Sequence, residues 1–391
     1  MSDLLALVEE YLAYRSFRSN KAKVKLAATS AWIERSAVRH ASIALREARQ
    51  HLHASACRDV AYWDAAYQIT FEEYRLASAH NRFQEFNLQE ISDTLDAAAT
   101  ARKLRLVCLM LSHRQVFRNE YRFGIYQALI GGLEGSPLLA IPAVALYYHA
   151  CRFLSLPESE DDFSRFGDLL AASGNLFPES ELRALYLLAI NYGIRRHNET
   201  GNPLWSRATF ERYREALTRG LLYEHGVLSR FAYDNIAGFA ILLDELDWAA
   251  HFIEEQRSFI ERKYREAAYH FNMARLAYRR KDHGLALSFL QKADYKDFLN
   301  SMQTRILQMK IYAESGSEAL LESHIESIQQ YVQRQRAAGY HRERFMALIR
   351  LMRALIRRNP FDDAQRTRLR KSILSEPLLS DADRGWLLER V

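Results

Sequence analysis

The chain has 391 residues, of which 49% are hydrophobic, 26% charged and 12% aromatic. This composition excludes an intrinsically disordered chain and supplies enough apolar side chains for one large or two ordinary cores. Glycine and proline are scarce, at 15 and 7 residues. Because proline breaks helices and long stretches lack it, the composition predicts an all-α protein.

The positive charge is concentrated at the C-terminal end of the chain. The net charge is +6, and residues 331–391 hold 13 arginines and one lysine against seven acidic residues, so they carry +7 and the remainder about −1. Arginine also outnumbers lysine 44 to 10 over the whole chain, which suits bidentate contacts to phosphates or carboxylates but follows equally from genomic base composition. Composition alone does not distinguish these two explanations.

The cysteines and the N-terminal residues indicate a cytoplasmic protein. Cys57, Cys108 and Cys151 form no CxxC pair, and three cysteines cannot make a closed disulfide framework. Acidic residues stand near the N-terminus where a signal peptide would be basic. The longest uncharged stretch, Gly135–Cys151, contains two prolines and is too short to cross a bilayer, so it predicts a buried helix.

Helical spacing is present from the beginning of the chain. Apolar residues recur at intervals of three and four residues at Leu4, Leu5, Val8, Tyr11, Leu12 and Tyr14. The same spacing returns near the other end, while alternation typical of strands is not sustained anywhere. We predict an irregular helical region over residues 1–175, helical repeats over 176–358 and a helical cap over 359–391.

An internal repeat supports the central region. Residues 238–250 align without a gap on residues 274–286, an offset of 36, and both copies place a small residue twelve positions after a small residue. Two antiparallel helices joined by a short turn need small side chains where their backbones approach. A degenerate third copy spans residues 311–320. Pairs of this kind bury one face against their neighbours, which predicts an α-solenoid of stacked antiparallel helix pairs.

These copies resemble the tetratricopeptide repeat. Its small positions correspond to Ala274, Ala286 and Ala293, and its large apolar position corresponds to Leu290. A longer stretch, over about residues 180–355, is similar to a widespread, poorly characterised bacterial family of helical-repeat proteins. Segments that carry this similarity are 191–196, 233–238, 247–253 and 269–274. The resemblance implies a tetratricopeptide-like fold and implies no catalytic residue.

Motifs for catalysis or cofactor binding are missing from the sequence. The 13 histidines are dispersed, and no HExxH motif places two of them on one helix face. The glycine-rich stretch at residues 131–135 lacks the lysine and hydroxyl of a phosphate-binding loop and is better explained as a turn between helices. We therefore predict no catalytic residue, no cofactor and no metal ligand, and we interpret His149 and Cys151 as core side chains.

The inner face of the predicted repeats supplies one set of candidate binding residues. If the pairs follow tetratricopeptide geometry, the first helix of each pair presents Asn235, Arg275, Tyr278 and Arg279 to a groove in which a peptide could lie. Phe239, Leu242 and Phe271 fall on the same face. These three are equally consistent with packing between neighbouring repeats, so we do not assign them to the site.

The basic C-terminal segment supplies the second set. Arg350, Arg353 and Arg357 have the spacing i, i+3 and i+7, which places them along one helix face, while Leu351 and Met352 turn inward. Such a stripe is most simply a solvated face. An acidic protein partner and nucleic acid are the two alternatives in which it would be a contact surface.

Together these patterns predict a cytoplasmic, non-catalytic protein that binds or scaffolds another protein through helical repeats. The alternative is a nucleic-acid-binding helical repeat that uses the arginines after residue 340. An enzyme is a third hypothesis, because residues distant in sequence can converge on a site. The sequence does not identify the protein partner.

Overall fold

A computed structural model describes residues 2–80, 83–117, 119–156, 159–295, 297–334, 339–359 and 361–391. Within these ranges the chain forms nineteen α-helices, three short 3₁₀ helices and one hairpin of two-residue strands. The prediction of an all-α protein is therefore confirmed. None of the helices in this part of the chain has the length and apolar character needed to cross a membrane.

The chain divides into two compact units, residues 1–188 and 189–391. The three regions predicted from the sequence have other boundaries and remain a prediction. Unit 1 contains α1 (Ser2–Ser19), α2 (Lys21–Glu34), α3 (Val38–His53), α4 (Val60–His80), α5 (Leu88–Phe117), α6 (Tyr126–Leu133), α7 (Pro142–Ser155) and α8 (Glu160–Ser173). The division falls within α9 (Glu179–Thr200).

Unit 2 continues with α10 and the hairpin and then contains the repeat-like helices. Their bounds are α10 (Pro203–Thr218), β1 (Tyr223–Glu224), β2 (Val227–Leu228), α11 (Arg230–Leu242), α12 (Leu246–Gln256), α13 (Arg262–Arg279), α14 (His283–Leu290), α15 (Phe298–Glu314), α16 (Glu318–Arg334), α17 (Gly339–Arg357), α18 (Asp363–Ser375) and α19 (Asp381–Leu388). The 3₁₀ helices are Pro137–Ala140, Gly174–Leu176 and Arg257–Phe259.

The core of unit 1 includes α7. This helix begins inside the uncharged stretch Gly135–Cys151 and ends four residues after it, at Ser155. Pro142 occupies its first position, where the missing N–H has no partner to lose. Most of its side chains are buried, including Val144, Leu146 and Phe153. This agrees with the buried helix predicted for Gly135–Cys151. Helix α7 packs against α5 and α8.

Four helix pairs share one turn conformation. In α2–α3, α11–α12, α13–α14 and α15–α16, three residues separate the helices and the middle residue has a positive φ. These residues are Ser36, Asp244, Lys281 and Gly316, with φ of 55°, 65°, 64° and 68°. In each turn, the residue after the one with positive φ donates its backbone N–H to the carbonyl of the residue five positions earlier, at 2.9 to 3.1 Å. This arrangement is the Schellman motif, which satisfies carbonyls at a helix end and reverses the chain.

Small residues lie in the core of the paired region, as the repeat predicts. Ala274 and Ala286 have no exposed surface, and they share one core cluster with Leu290 and Ala293. Helix α11 packs against α12 and α13, and α13 packs against α14 and α15. The first helices of successive pairs are therefore neighbours in unit 2.

The last helices continue the core of unit 2. Leu351 and Met352 of α17 are buried with Ile373 of α18 and Leu387 of α19. Asp362 caps α18, since its carboxylate accepts a hydrogen bond from the backbone N–H of Gln365 at 3.0 Å. An aspartate at this position also compensates the positive end of the helix dipole.

Candidate functional site

The first set of predicted binding residues lies on α11 and α13, two adjacent helices of unit 2. Asn235 is on α11, and Arg275, Tyr278 and Arg279 are on α13. Each of the four contacts another side chain of unit 2. The polar groups around these four residues determine how much of the α11 and α13 surface is open to a partner.

A buried carboxylate, Asp234, ties α11 to α13. Its Oδ1 accepts a hydrogen bond from Nδ2 of Asn272 at 2.6 Å, and its backbone carbonyl accepts one from Nη1 of Arg275 at 3.0 Å. Arg275 also donates to Oδ1 of Asn272 at 3.1 Å. Burial raises the pKa of Asp234 to about 6, although the Asn272 hydrogen bond and the charge of Arg275 act in the opposite direction.

Two further residues extend this polar cluster and leave donors without partners. Arg230 pairs with Asp297 at 3.1 Å, but its Nε is buried and has no hydrogen-bond partner among the residues that the structure describes. In the same part of the chain, the hydroxyl of Tyr295, a residue that is 8% exposed, also lacks a partner. Burial and the neighbouring charge of Asp234 raise the pKa of Tyr295. Buried donors are usually paired, so these two atoms are exceptions in the core of unit 2.

We call Arg230, Asp234, Asn272, Arg275, Tyr295 and Asp297 the Asp234 cluster. Of its members, only Arg275 was predicted from the sequence as a site residue. The others were missed because they are separated by up to 67 residues and match no local motif. Carboxylates and arginines appear together here because the turn at Lys281 reverses the chain into α14. The residues that follow α14 therefore return to the middle of α13, where Tyr295 packs against Phe271.

The apolar residues of the same face divide into buried and exposed groups. Phe239 and Phe271 are buried, which supports packing as their role. Leu242 at the end of α11 is 50% exposed, and Phe231 at its beginning is 67% exposed. Asn235 lies between them and donates to the hydroxyl of Tyr213 at 3.2 Å. The accessible part of this face is therefore apolar at both ends of α11.

Tyr278 is engaged in a second buried network, centred on Glu314 of α15. The Tyr278 hydroxyl donates to the Glu314 carboxylate, and the indole Nε1 of Trp386 donates to the same carboxylate at 2.8 Å. Arg390 pairs with Glu314 and stacks its guanidinium 4.0 Å from the Trp386 ring centre. Burial raises the pKa of Glu314, but these hydrogen bonds and the charge of Arg390 bring it below its ordinary value.

The Glu314 network gives Tyr278 a structural role, because its hydroxyl is held by Glu314 of α15 and by the indole N–H of Trp386 on α19. Arg279 is exposed and pairs with Asp244 at 3.2 Å across the turn between α11 and α12. An exposed ion pair of this kind exchanges readily with solvent or a partner. Of the predicted groove residues on α13, Arg279 is thus the most accessible.

The arginine stripe lies on α17. Arg350 and Arg357 are exposed and Arg353 is half-buried. Arg350 pairs with Glu376, whose side chain is mostly buried. Arg353 and Arg357 make no ion pair with any residue that the structure describes. The charges of Arg353 and Arg357 are therefore available to a partner, whereas the charge of Arg350 is partly neutralised by Glu376.

His149 and the two buried cysteines lie in the core of unit 1. His149 Nδ1 is 2.7 Å from Oδ1 of Asp162. The thiols of Cys108 and Cys151 are 3.4 Å apart, and each donates to a backbone carbonyl of the opposite helix. Burial raises the pKa of Cys108, which favours the neutral thiol. In the described ranges, no group of three or more histidine, cysteine or acidic side chains is arranged to hold a metal ion.

No protein-family model matches the chain, and no curated protein is significantly similar to it.

Proposed function

We propose that this chain is a non-catalytic protein-binding or scaffolding protein of the cytoplasm, built as a tetratricopeptide-like α-solenoid. In this proposal α11–α12, α13–α14 and α15–α16 are successive stacked repeats. Their identical turn conformations and the contacts of α11 with α13 and of α13 with α15 support it. The buried small residues Ala274 and Ala286 support the same repeat register.

The exposed apolar ends of α11 carry the binding proposal. Phe231, Asn235, Gly238 and Leu242 have the spacing i, i+4, i+7 and i+11, so they share one helix face. Phe231 and Leu242 are 67% and 50% exposed at the two ends of this face, so a partner that contacts both must span about 16 Å along the helix. A bound segment with apolar side chains would cover Phe231 and Leu242.

A charged side chain beside the apolar face would contribute to the polar part of such a contact. The guanidinium of Arg230 lies next to Phe231, 4.8 Å from the ring centre. Arg279 would exchange its exposed pair with Asp244 for an acidic residue of the partner.

A peptide selection tests this proposal. Peptides are selected from a displayed library against the full chain, and their dissociation constants are measured for the wild type and for Phe231→Glu/Leu242→Glu. We expect at least a tenfold loss of affinity, since each glutamate places a charge in the apolar contact. The control Leu320→Glu/Leu374→Glu changes two leucines of similar exposure on α16 and α18 and should leave affinity unchanged.

Two outcomes would contradict the proposal. The selection could give no peptide that binds the chain, or the selected peptides could bind the α11 variant as well as the wild type. Cross-linking of a bound peptide to α11 or α13, read by mass spectrometry, checks its location independently.

Nucleic-acid binding is a second candidate function, favoured by the open part of the arginine stripe. Arg357 on α17 and Arg370 and Lys371 on α18 are exposed, and α17 packs against α18. Exposed cations on adjacent helices could meet successive phosphates. A steep fall of RNA or DNA affinity with salt, lost when these three residues are replaced by glutamine, would support this function.

A further inference from the structure

An open cavity of about 400 Å³ lies between α3 and α4 in unit 1. Apolar side chains of both helices form much of its wall: Val38 and Leu45 on α3, and Leu76 and Ala77 on α4. Leu45 and Leu76 continue into the core cluster that these helices share with α2. Small-molecule sites usually have volumes of about 300 to 1,000 Å³ and mostly apolar walls, so this cavity has the size and lining of a ligand site.

The uncharged polar residues of the lining bind within the chain. The hydroxyl of Ser42 donates to the backbone carbonyl of Val38 at 3.0 Å. The side-chain amide of Gln84 donates to the backbone carbonyl of Ala77 at 3.2 Å. Because both groups are already engaged, the charged residues of the lining have the larger part in selecting a ligand.

The charges around the cavity favour an anion. Both carboxylate oxygens of Glu73 accept hydrogen bonds from Arg49, so this acidic residue is already neutralised. Arg46 also lines the cavity, and its exposed side chain has no ion-pair or hydrogen-bond partner in the described part of the chain. Arg39 stands seven residues earlier, on the same side of α3. The rim is therefore positive, and a guanidinium is available to pair with a carboxylate.

The positions of the lining residues set the length of a ligand. Val38 and Arg46 are eight residues apart on α3, which corresponds to about 12 Å along the helix axis. A ligand whose carboxylate meets Arg46 can thus lay an apolar chain of about this length over Leu45 towards Val38. A longer chain would extend beyond the apolar wall into solvent.

We propose that the cavity between α3 and α4 binds a small carboxylic acid with an apolar chain, of about the size of octanoate. The carboxylate pairs with the guanidinium of Arg46 at the rim, and the chain covers Val38, Leu45 and Leu76. This site lies in unit 1 and is independent of the peptide-binding face proposed on α11.

Calorimetric titration of the full chain with octanoate tests the choice of an anion. We expect a Kd below about 1 mM, an ordinary affinity for ten non-hydrogen atoms, and at least threefold weaker binding of 1-octanol. Arg46→Glu should raise the Kd of octanoate at least tenfold and change that of 1-octanol less than threefold. The control Arg165→Glu makes the same charge change at an exposed position of α8 and should leave both values within twofold.

Filling the cavity tests the location. Ala77→Phe places a large side chain in the cavity and should weaken both ligands at least tenfold. Ala79→Phe, at an exposed position of the same helix, should leave both within twofold of the wild type. Circular dichroism and thermal melting show whether each variant folds. Arg46 is exposed, so the charge test stands even where Ala77→Phe does not fold.

Three results would overturn the inference. One is the lack of saturable binding at about 5 mM octanoate. Another is equal affinity of the wild type for octanoate and 1-octanol. The third is an octanoate affinity that does not change in Arg46→Glu or in folded Ala77→Phe.

Discussion

Gly238 of α11 leaves the space that the guanidinium of Arg275 occupies on α13. A Cβ atom at position 238 would lie 2.3 Å from Nη2 and 3.0 Å from Nη1 of that side chain. The same guanidinium donates to the carbonyl of Asp234 and to the side chain of Asn272. The missing side chain at position 238 is therefore a condition for the polar contact between the two helices.

Gly238→Ala should destabilise the protein by about 1 to 3 kcal/mol, because Arg275 must move and its buried hydrogen bonds are strained or lost. Urea denaturation measures this change. Gly385→Ala is the control: nothing lies within 4 Å of its added Cβ, and alanine should stabilise that helix by about 0.5 to 1 kcal/mol. Equal effects of the two substitutions would show that Arg275 is not the cause.

Ala286→Leu should overpack the core shared by α13 and α14 and lower the free energy of unfolding by about 1 to 3 kcal/mol. Ala286 has no exposed surface and belongs to one cluster with Ala274. Ala364→Leu, at an exposed position of α18, should change stability by less than about 0.5 kcal/mol. Unchanged thermal stability of Ala286→Leu would mean that the proposed repeat register is wrong.

Asp234→Asn should remove a pH dependence of stability between about pH 4 and pH 7. Burial raises the pKa of Asp234 from its ordinary 3.8 to about 6, so the folded protein favours the protonated carboxyl. Its stabilising contribution is complete below pH 4 and is lost as the pH rises through 6. The wild type should lose about 3 kcal/mol relative to Asp234→Asn over this range. Denaturation curves with a constant difference would contradict this assignment.

Trp386→Phe should lower the melting temperature, because the Glu314 carboxylate loses a donor in a buried site, at a cost of about 1 to 3 kcal/mol. Trp386 donates to Glu314 at 2.8 Å and to Tyr278 at 3.1 Å. Trp63 offers a matched control, since its buried indole N–H has no partner in the described ranges. Trp63→Phe should therefore cost less than Trp386→Phe, and the reverse order would argue against the Glu314 network.

Arg350→Gln/Arg353→Gln/Arg357→Gln should keep its fold and lose only about 1 to 2 kcal/mol, because Arg350 and Arg357 are exposed, although the change removes the partner of the mostly buried Glu376 carboxylate. Circular dichroism and thermal melting measure this. Any polyanion binding by the wild type should weaken in the variant, with a shallower salt dependence. A large loss of stability would instead assign the stripe to the core of unit 2.

Helical spacing predicted those features that depend on neighbours in sequence. It gave the all-α class, the buried side of α17 at Leu351 and Met352, and the buried alanines of α13 and α14. These features follow from which side of a helix is apolar, and that information is contained in a few consecutive turns. The stacking of the pairs into a solenoid and the binding function remain proposals.

Contacts between distant residues were missed. Glu314 and Trp386 are 72 residues apart, and Cys108 and Cys151 are 43 apart. No local pattern distinguishes these residues from others of their type. Arg275 and Tyr278 were predicted to face a partner, yet both also bind within unit 2, because a long polar side chain on a helix can reach either solvent or a neighbouring element.

The turn shared by four helix pairs also shows how little it depends on residue type. Serine, aspartate, lysine and glycine occupy the same left-handed position at residues 36, 244, 281 and 316. Any residue other than glycine costs about 1 kcal/mol there, a penalty that good packing of the two helices can offset. Substitutions at these four positions can therefore accumulate while the path of the backbone between the helices stays the same.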